Sequence, residues 1–279
     1  QAEKEKTTWP YSWMQHQEYP LLRGALSGNL YVDGKPAEKG THIVLAADSI
    51  DWQAQSRGYI YYAITNEKGN FIIKNIRAGK YTLYAYGSNE TEEFKKINID
   101  IQPEVTKIMG KINWMPKRNG DKLWQLGIAD RKTTGFNFSN HRRNYSVFKL
   151  PPANIDFTIG KSVEQTDWYY AQTKTGSWNI YFDVNKNYND SCTLTIAIAG
   201  YAKNPVLEIV INGTSIGRIR AGNDASIYRS AIAGGYYQLK TFKFASNLLQ
   251  NGNNKLSFVL SSLKDGGGVM YDAIKLEAK

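Results

Sequence analysis

With 279 residues, 42% of them hydrophobic and 22% charged, the chain has the composition of a soluble globular protein and room for two domains. Its net charge of +10 suits a polyanionic partner, but the cations are scattered, with pairs such as Lys95-Lys96 and Arg142-Arg143 in place of a helical stripe. No nucleic-acid-binding signature is present, so an acidic polysaccharide ranks above nucleic acid as a partner, with a merely soluble basic surface as the competing reading. No apolar run approaches the ~20 residues that span a bilayer, and a single cysteine, Cys192, excludes an internal disulfide.

Nineteen Tyr, ten Phe, seven Trp and 24 Gly favour β-structure, where aromatics suit the pleated surface and Gly serves the turns. Residues 1–20 read as a polar tail followed by an aromatic linker, Trp9-Pro10-Tyr11-Ser12-Trp13, expected to lie against a folded surface. Residues 21–110 read as a β-sandwich. Gly24 to Val32 alternates and meets the turn Asp33-Gly34. Ile43-Val44-Leu45-Ala46, Gly58 to Ile64, Phe71-Ile72-Ile73, Tyr81 to Tyr86 and the run Ile97, Ile99, Ile101 follow at strand spacing.

Residues 111–279 read as a second β-unit with a leading connection, Lys111 to Pro152. Within it Trp178 to Val184 alternates, and Cys192 to Ala199 is an apolar run whose cysteine reads as a small buried hydrophobe. Val206 to Ile211 ends in the tight turn Asn212-Gly213. Tyr237 to Phe244, Lys255 to Leu260 and Val269 to Leu276 complete about eight strands, the number of a jelly roll. The fold class is all-β.

The chemistry-bearing residues point to binding rather than catalysis. His16, His42 and His141 are the three histidines, and HExxH, GxSxG and Cys/His clusters are absent, which removes zinc-hydrolase and serine-hydrolase readings. Sugars present an apolar CH face and a rim of hydroxyls, and acidic sugars add a carboxylate that an arginine fork grips. Asp167, Trp168, Tyr170 and Gln172 supply such groups in one short stretch, with Trp124, Arg131, Arg229 and Tyr271 as further candidates. Alternate strand residues face inward, so about half of these aromatics are expected in the core, and Trp178 is read as core outright.

Several motifs occur in a distinctive order. They are Trp114-x-Pro116, the stretch Leu123-Trp124-Gln125-Leu126-Gly127-Ile128-Ala129-Asp130-Arg131, Asp167-Trp168-x-Tyr170-Ala171-Gln172, Asn223-Asp224-Ala225-x-x-x-Arg229, Gly252-Asn253-Asn254, and Gly268-Val269-Met270-Tyr271-Asp272. Together they resemble the two C-terminal domains of the family 4 rhamnogalacturonan lyases. The resemblance implies a fibronectin type III-like β-sandwich followed by a carbohydrate-binding-module-like jelly roll, in an exported (secreted or periplasmic) protein. Gln1 in place of Met fits signal removal or a trimmed chain.

In that family a Lys and a His of an N-terminal domain perform the β-elimination. Those positions have no counterpart in this sequence, so no catalytic residue is carried over. The implied function is the non-catalytic part of a rhamnogalacturonan lyase, binding pectic rhamnogalacturonan I or supporting a catalytic lyase domain. The alternatives are a free-standing pectin-binding protein and a lyase in its own right centred on His141, Arg142 and Arg143. Carbohydrate-binding jelly rolls often hold a structural Ca²⁺ through a carboxylate in the setting Tyr271-Asp272-x-Ile274-x-Leu276. The likeness therefore implies Asp272, with Asp156, as calcium ligands.

Overall fold

Alternating apolar and polar residues, interrupted by Gly, Asn and Asp turns, form eighteen strands among the described residues. The computed structural model describes residues 8–48, 51–55, 59–141, 145–234 and 236–279. It divides into two units, Gln1–Pro116 and Lys117–Lys279, and the all-β class expected from the sequence is what the structure shows.

The first unit holds β1 (Arg23–Val32), β2 (Lys35–Pro36), β3 (His42–Ala47), β4 (Ile60–Ile64), β5 (Asn70–Arg77), β6 (Gly79–Gly87), β7 (Glu90–Ile101) and β8 (Thr106–Trp114). One sheet runs β2-β1-β5 with β8 also paired to β1, and the other runs β4-β3-β6-β7. Leu26, Leu30, Ile43, Leu45, Phe71, Leu83 and Trp114 share the core of this sandwich. Asp33 and Gly34 turn the chain from β1 to β2 with φ of 47° and 79°, the left-handed pair that a two-residue hairpin needs. The aromatic leader is tethered through Arg23, whose guanidinium lies 4.8 Å from the Trp9 ring centroid.

The second unit contains β9 (Asp121–Leu126), β10 (Ile155–Thr158), the short helix α1 (Glu164–Asp167), β11 (Ala171–Gln172), β12 (Gly176–Val184) and β13 (Ser191–Ala202). It continues with β14 (Val206–Ile211), β15 (Thr214–Arg220), β16 (Gln238–Ala245), β17 (Gly252–Leu260) and β18 (Gly268–Ala278). One five-stranded sheet is ordered β10-β12-β17-β14-β15. The other is ordered β11-β18-β13-β16, with β9 also paired to β18. Leu194, Ile196, Trp178, Ile180, Ile209, Phe258, Ile274 and Leu276 belong to one core cluster between them.

The segment 111–152 is less of a connection than its sequence implies. Its first residues finish β8, which runs parallel to β1, and Asp121–Leu126 forms β9 against β18 at the far end of the chain, with Trp124 opposite Leu276. Neither strand has a sequence-adjacent partner, so neither leaves a hairpin signature. Gly127 ends β9 with φ of 82°, and a Cβ there would lie 2.2 Å from the Asp272 carbonyl oxygen. Glycine is what permits the leading segment to pass so close to β18.

Candidate functional site

The aromatic stretch around Trp168 is the centre of the jelly-roll core. Trp168 is fully buried, with Trp178, Tyr271, Phe157, Phe258 and Phe136 around it at ring-centroid separations of 5.1–6.4 Å. Tyr170, Gln172 and Tyr271 are equally enclosed. The Tyr271 hydroxyl donates to Gln172 Oε1 at 2.8 Å and Gln172 Nε2 donates to the Phe258 carbonyl at 3.1 Å, so this amide serves the core. Burial pushes both tyrosine hydroxyls far above their ordinary range. Trp124 packs on Phe182 at 5.3 Å and is likewise buried.

These positions correct the sequence expectation. Trp124, Trp168, Tyr170, Gln172 and Tyr271 present no surface to a sugar, because the aromatic run lies between the two sheets and Trp124 faces inward from β9. Asp167 is exposed but spends its carboxylate on α1, accepting from the Val163 N–H at 2.8 Å and the Thr166 hydroxyl at 3.0 Å. Trp178 is core, as read from the sequence, and Cys192 is buried with its thiol pushed up to about 11. Arg229 is exposed. His141 sits edge-on to Phe138, while Arg142 and Arg143 lie outside the described residues.

Asp272 and Asp156 do not share a site. Asp156 is exposed on β10 and accepts from Asn179 Nδ2 at 2.8 Å. Asp272 belongs to the other sheet, is fully buried, and accepts the Asp130 and Arg131 N–H groups on Oδ1 at 3.0 and 3.1 Å. Calcium needs six or more oxygens. Among the described residues no group of three or more His, Cys, Asp or Glu side chains is placed to hold a metal. Asp272 Oδ1 is occupied by the two N–H groups and Asp156 Oδ1 by Asn179. Burial raises the Asp272 carboxyl to about 8, the two N–H donors offsetting only part of that rise.

The polar chemistry the sequence reading missed lies on the outer face of the β16-β13-β18-β9 sheet. Leu194, Ile196, Ile274 and Leu276 face the core, so their alternate neighbours face outward. Lys243, Thr193, Glu277 and Lys122 fall in one register row, and Thr241, Thr195, Lys275 and Gln125 in the next. The middle of the face and its flanks differ in exposure. Thr193, Thr195, Lys275 and Glu277 are buried in the middle, while Lys122 at one flank and Lys243 and Thr241 at the other are exposed.

Lys275 Nζ and Glu277 Oε2 are 3.4 Å apart in this buried strip, and Asn119 donates to both Glu277 carboxylate oxygens. The two charges thus cancel where they cannot be hydrated. Farther along, Ala197 and Ala273 meet Ala129 and Tyr237, and the Arg131 guanidinium stacks 4.7 Å over the Tyr237 ring. The loop carrying Asp130 and Arg131 is anchored through Asp272. The face is a neutral floor between exposed cations.

The second unit is thus a sandwich of two five-stranded sheets with a polar outer face, following a first sandwich of two four-stranded sheets. Residues 122–276 match the model for polysaccharide lyase family 4, domain III, and residues 34–107 match that for domain II. The chain belongs to polysaccharide lyase family 4.

It is 34% identical to the rhamnogalacturonate lyase of Dickeya dadantii over 284 residues, covering 99% of this chain and 47% of that protein. Rhamnogalacturonate lyase B of Emericella nidulans is 24% identical over 92% of this chain and 48% of its own length. The chain thus spans about half the length of these curated relatives. A family 35 carbohydrate binding module from an environmental isolate overlaps 57% of this chain and 88% of its own at 13% identity and a TM-score of 0.29; that overlap adds nothing to the assignment.

Proposed function

We propose that this chain is the non-catalytic accessory portion of a rhamnogalacturonate lyase and holds acidic pectic polysaccharide on the cationic outer face of its jelly roll. The observation that carries this reading is the pair of exposed flanks, Lys122 and Lys243, on either side of a floor whose own charges cancel. A polyuronide lying there meets cations without desolvating a buried ion pair, and the exposed Thr241 offers a hydroxyl alongside. The family assignment supplies the polymer class, since the Dickeya dadantii relative is a rhamnogalacturonate lyase. A protein acting on plant-wall polymer works outside the cytoplasm, so we place it in the periplasm or outside the cell, beside a catalytic lyase domain.

Reversing both flanks tests this. Lys122→Glu with Lys243→Glu is expected to weaken binding to rhamnogalacturonan I by about tenfold or more at low salt, with the loss shrinking as salt screens the wild type. The thermal transition should move little, because both side chains are exposed. Unchanged affinity would remove the face from the account.

A further inference from the structure

At the end of the same sheet, past Lys243, the β12–β13 and β16–β17 loops enclose a cleft of about 210 Å³. Its lining includes five side-chain amides, Asn187, Asn189, Asn247, Gln250 and Asn251, with the ring of Tyr188 among them. All five amide side chains are exposed, and none makes a hydrogen bond to another described residue. The framework beneath them is fixed. Buried Asn254 accepts the Gln250 N–H at 2.8 Å and donates to the Gln250 and Gly252 carbonyls at 2.8 and 2.9 Å. Asn212 Nδ2 donates to the Leu248 carbonyl and to Asn254 Oδ1, both at 2.8 Å.

The opposing loop is tied down as well. Tyr188 packs against the core cluster, and the Ser246 N–H donates to the Asp190 carbonyl, joining the two walls. The lining cation, Lys186, is already committed to Asp121 at 2.6 Å. A second cleft of about 490 Å³ is lined by the same four residues, Lys186, Asn187, Tyr188 and Asn189.

Each amide both donates and accepts, as a sugar hydroxyl does, and a cluster of them without an uncommitted charge favours a neutral polyol over a uronate. The cleft is smaller than the ~300–1,000 Å³ that holds drug-sized ligands, which suits a single sugar ring. We propose that this amide cleft is a second binding site on the jelly roll and takes one neutral sugar unit, a chain end or side branch of the polymer whose acidic backbone lies on the cationic face. It deepens the reading above and relies on it only for the backbone. The cleft's own chemistry is independent of that face.

The test is side-chain amide NMR on the full chain, titrated separately with rhamnose, galactose and galacturonate as free monosaccharides. The expected result is that a neutral sugar moves Asn and Gln side-chain signals at millimolar concentration and galacturonate moves them far less. Asn187→Ala with Asn251→Ala should weaken that response at least about tenfold while leaving the thermal transition and the salt-dependent binding of polyuronide in place. Lys122→Glu with Lys243→Glu should leave the neutral-sugar response intact. No response to either neutral sugar, or an equal response to galacturonate, overturns the neutral-sugar site without touching the cationic face. A double-alanine variant that binds neutral sugar like the wild type places the sugar elsewhere and also overturns it.

Discussion

Trp168→Ala is expected to cost the jelly roll about 3–5 kcal/mol of stability, the range for removing a large aromatic side chain from a packed interior. The residue has no exposed surface and meets five aromatic rings within 6.4 Å. Its removal leaves a void that Trp178, Phe258 and Tyr271 cannot fill without leaving their own contacts. Trp168→Phe keeps part of the packing and should cost less. Urea unfolding followed by circular dichroism reads both. A Trp168→Ala chain with an unmoved unfolding midpoint and lost polysaccharide binding would restore Trp168 as a stacking platform and contradict the core assigned to it.

The second large effect is expected at Asp272 and depends on pH. Its carboxyl is held near 8 by burial, whereas an unfolded chain ionises it near 3.9. Between those values the unfolded state gives up a proton that the native state retains, so ν_U is smaller than ν_N and stability falls as pH rises from about 4 to about 8. Asn cannot ionise and resembles the protonated acid. Asp272→Asn should therefore flatten the pH dependence of stability across that window and narrow the gap between pH 5 and pH 8. Asp272→Ala is different: it leaves the Asp130 and Arg131 N–H groups without their acceptor, at about 1–3 kcal/mol for each group that water does not reach. Unfolding midpoints at pH 5 and pH 8 for the three chains distinguish these effects. A wild type whose stability rises from pH 5 to pH 8, with Asp272→Asn matching it, would contradict the buried, protonated acid.

Much of the fold was legible because its signals are local. Trp178 to Val184 alternates and became β12. Asn212-Gly213 closes the β14–β15 hairpin with φ of 46° and 84°, as the dipeptide demands. The β8 and β9 strands were not legible as such, because their partners, β1 and β18, are distant in sequence and nothing short-range marks the pairing.

The site was less legible than the fold. Trp168, Tyr170 and Tyr271 combine aromatic bulk with polar atoms, which suits a sugar platform and a hydrogen-bonded core equally well; only the sheet-to-sheet packing separates the two. Thr193 and Thr195, alternating with Leu194 and Ile196, do mark an outward polar row. Lys275 and Glu277 look like solvated charges in sequence, and their burial depends on β9, β13 and β16 assembling around β18. The amides of Asn187, Asn189 and Asn251 read as ordinary turn residues, since nothing in the sequence shows that two separate loops bring them to one cleft.

The measurement that tests the central claim most directly is calorimetric titration of the intact chain with rhamnogalacturonan I at several salt concentrations, with a neutral polysaccharide alongside. The account predicts binding to the acidic polymer that weakens steadily as salt rises, and much weaker binding to the neutral one. No heat with the acidic polymer at low salt, or affinity for it that is indifferent to salt, would contradict a cationic face that holds polyuronide.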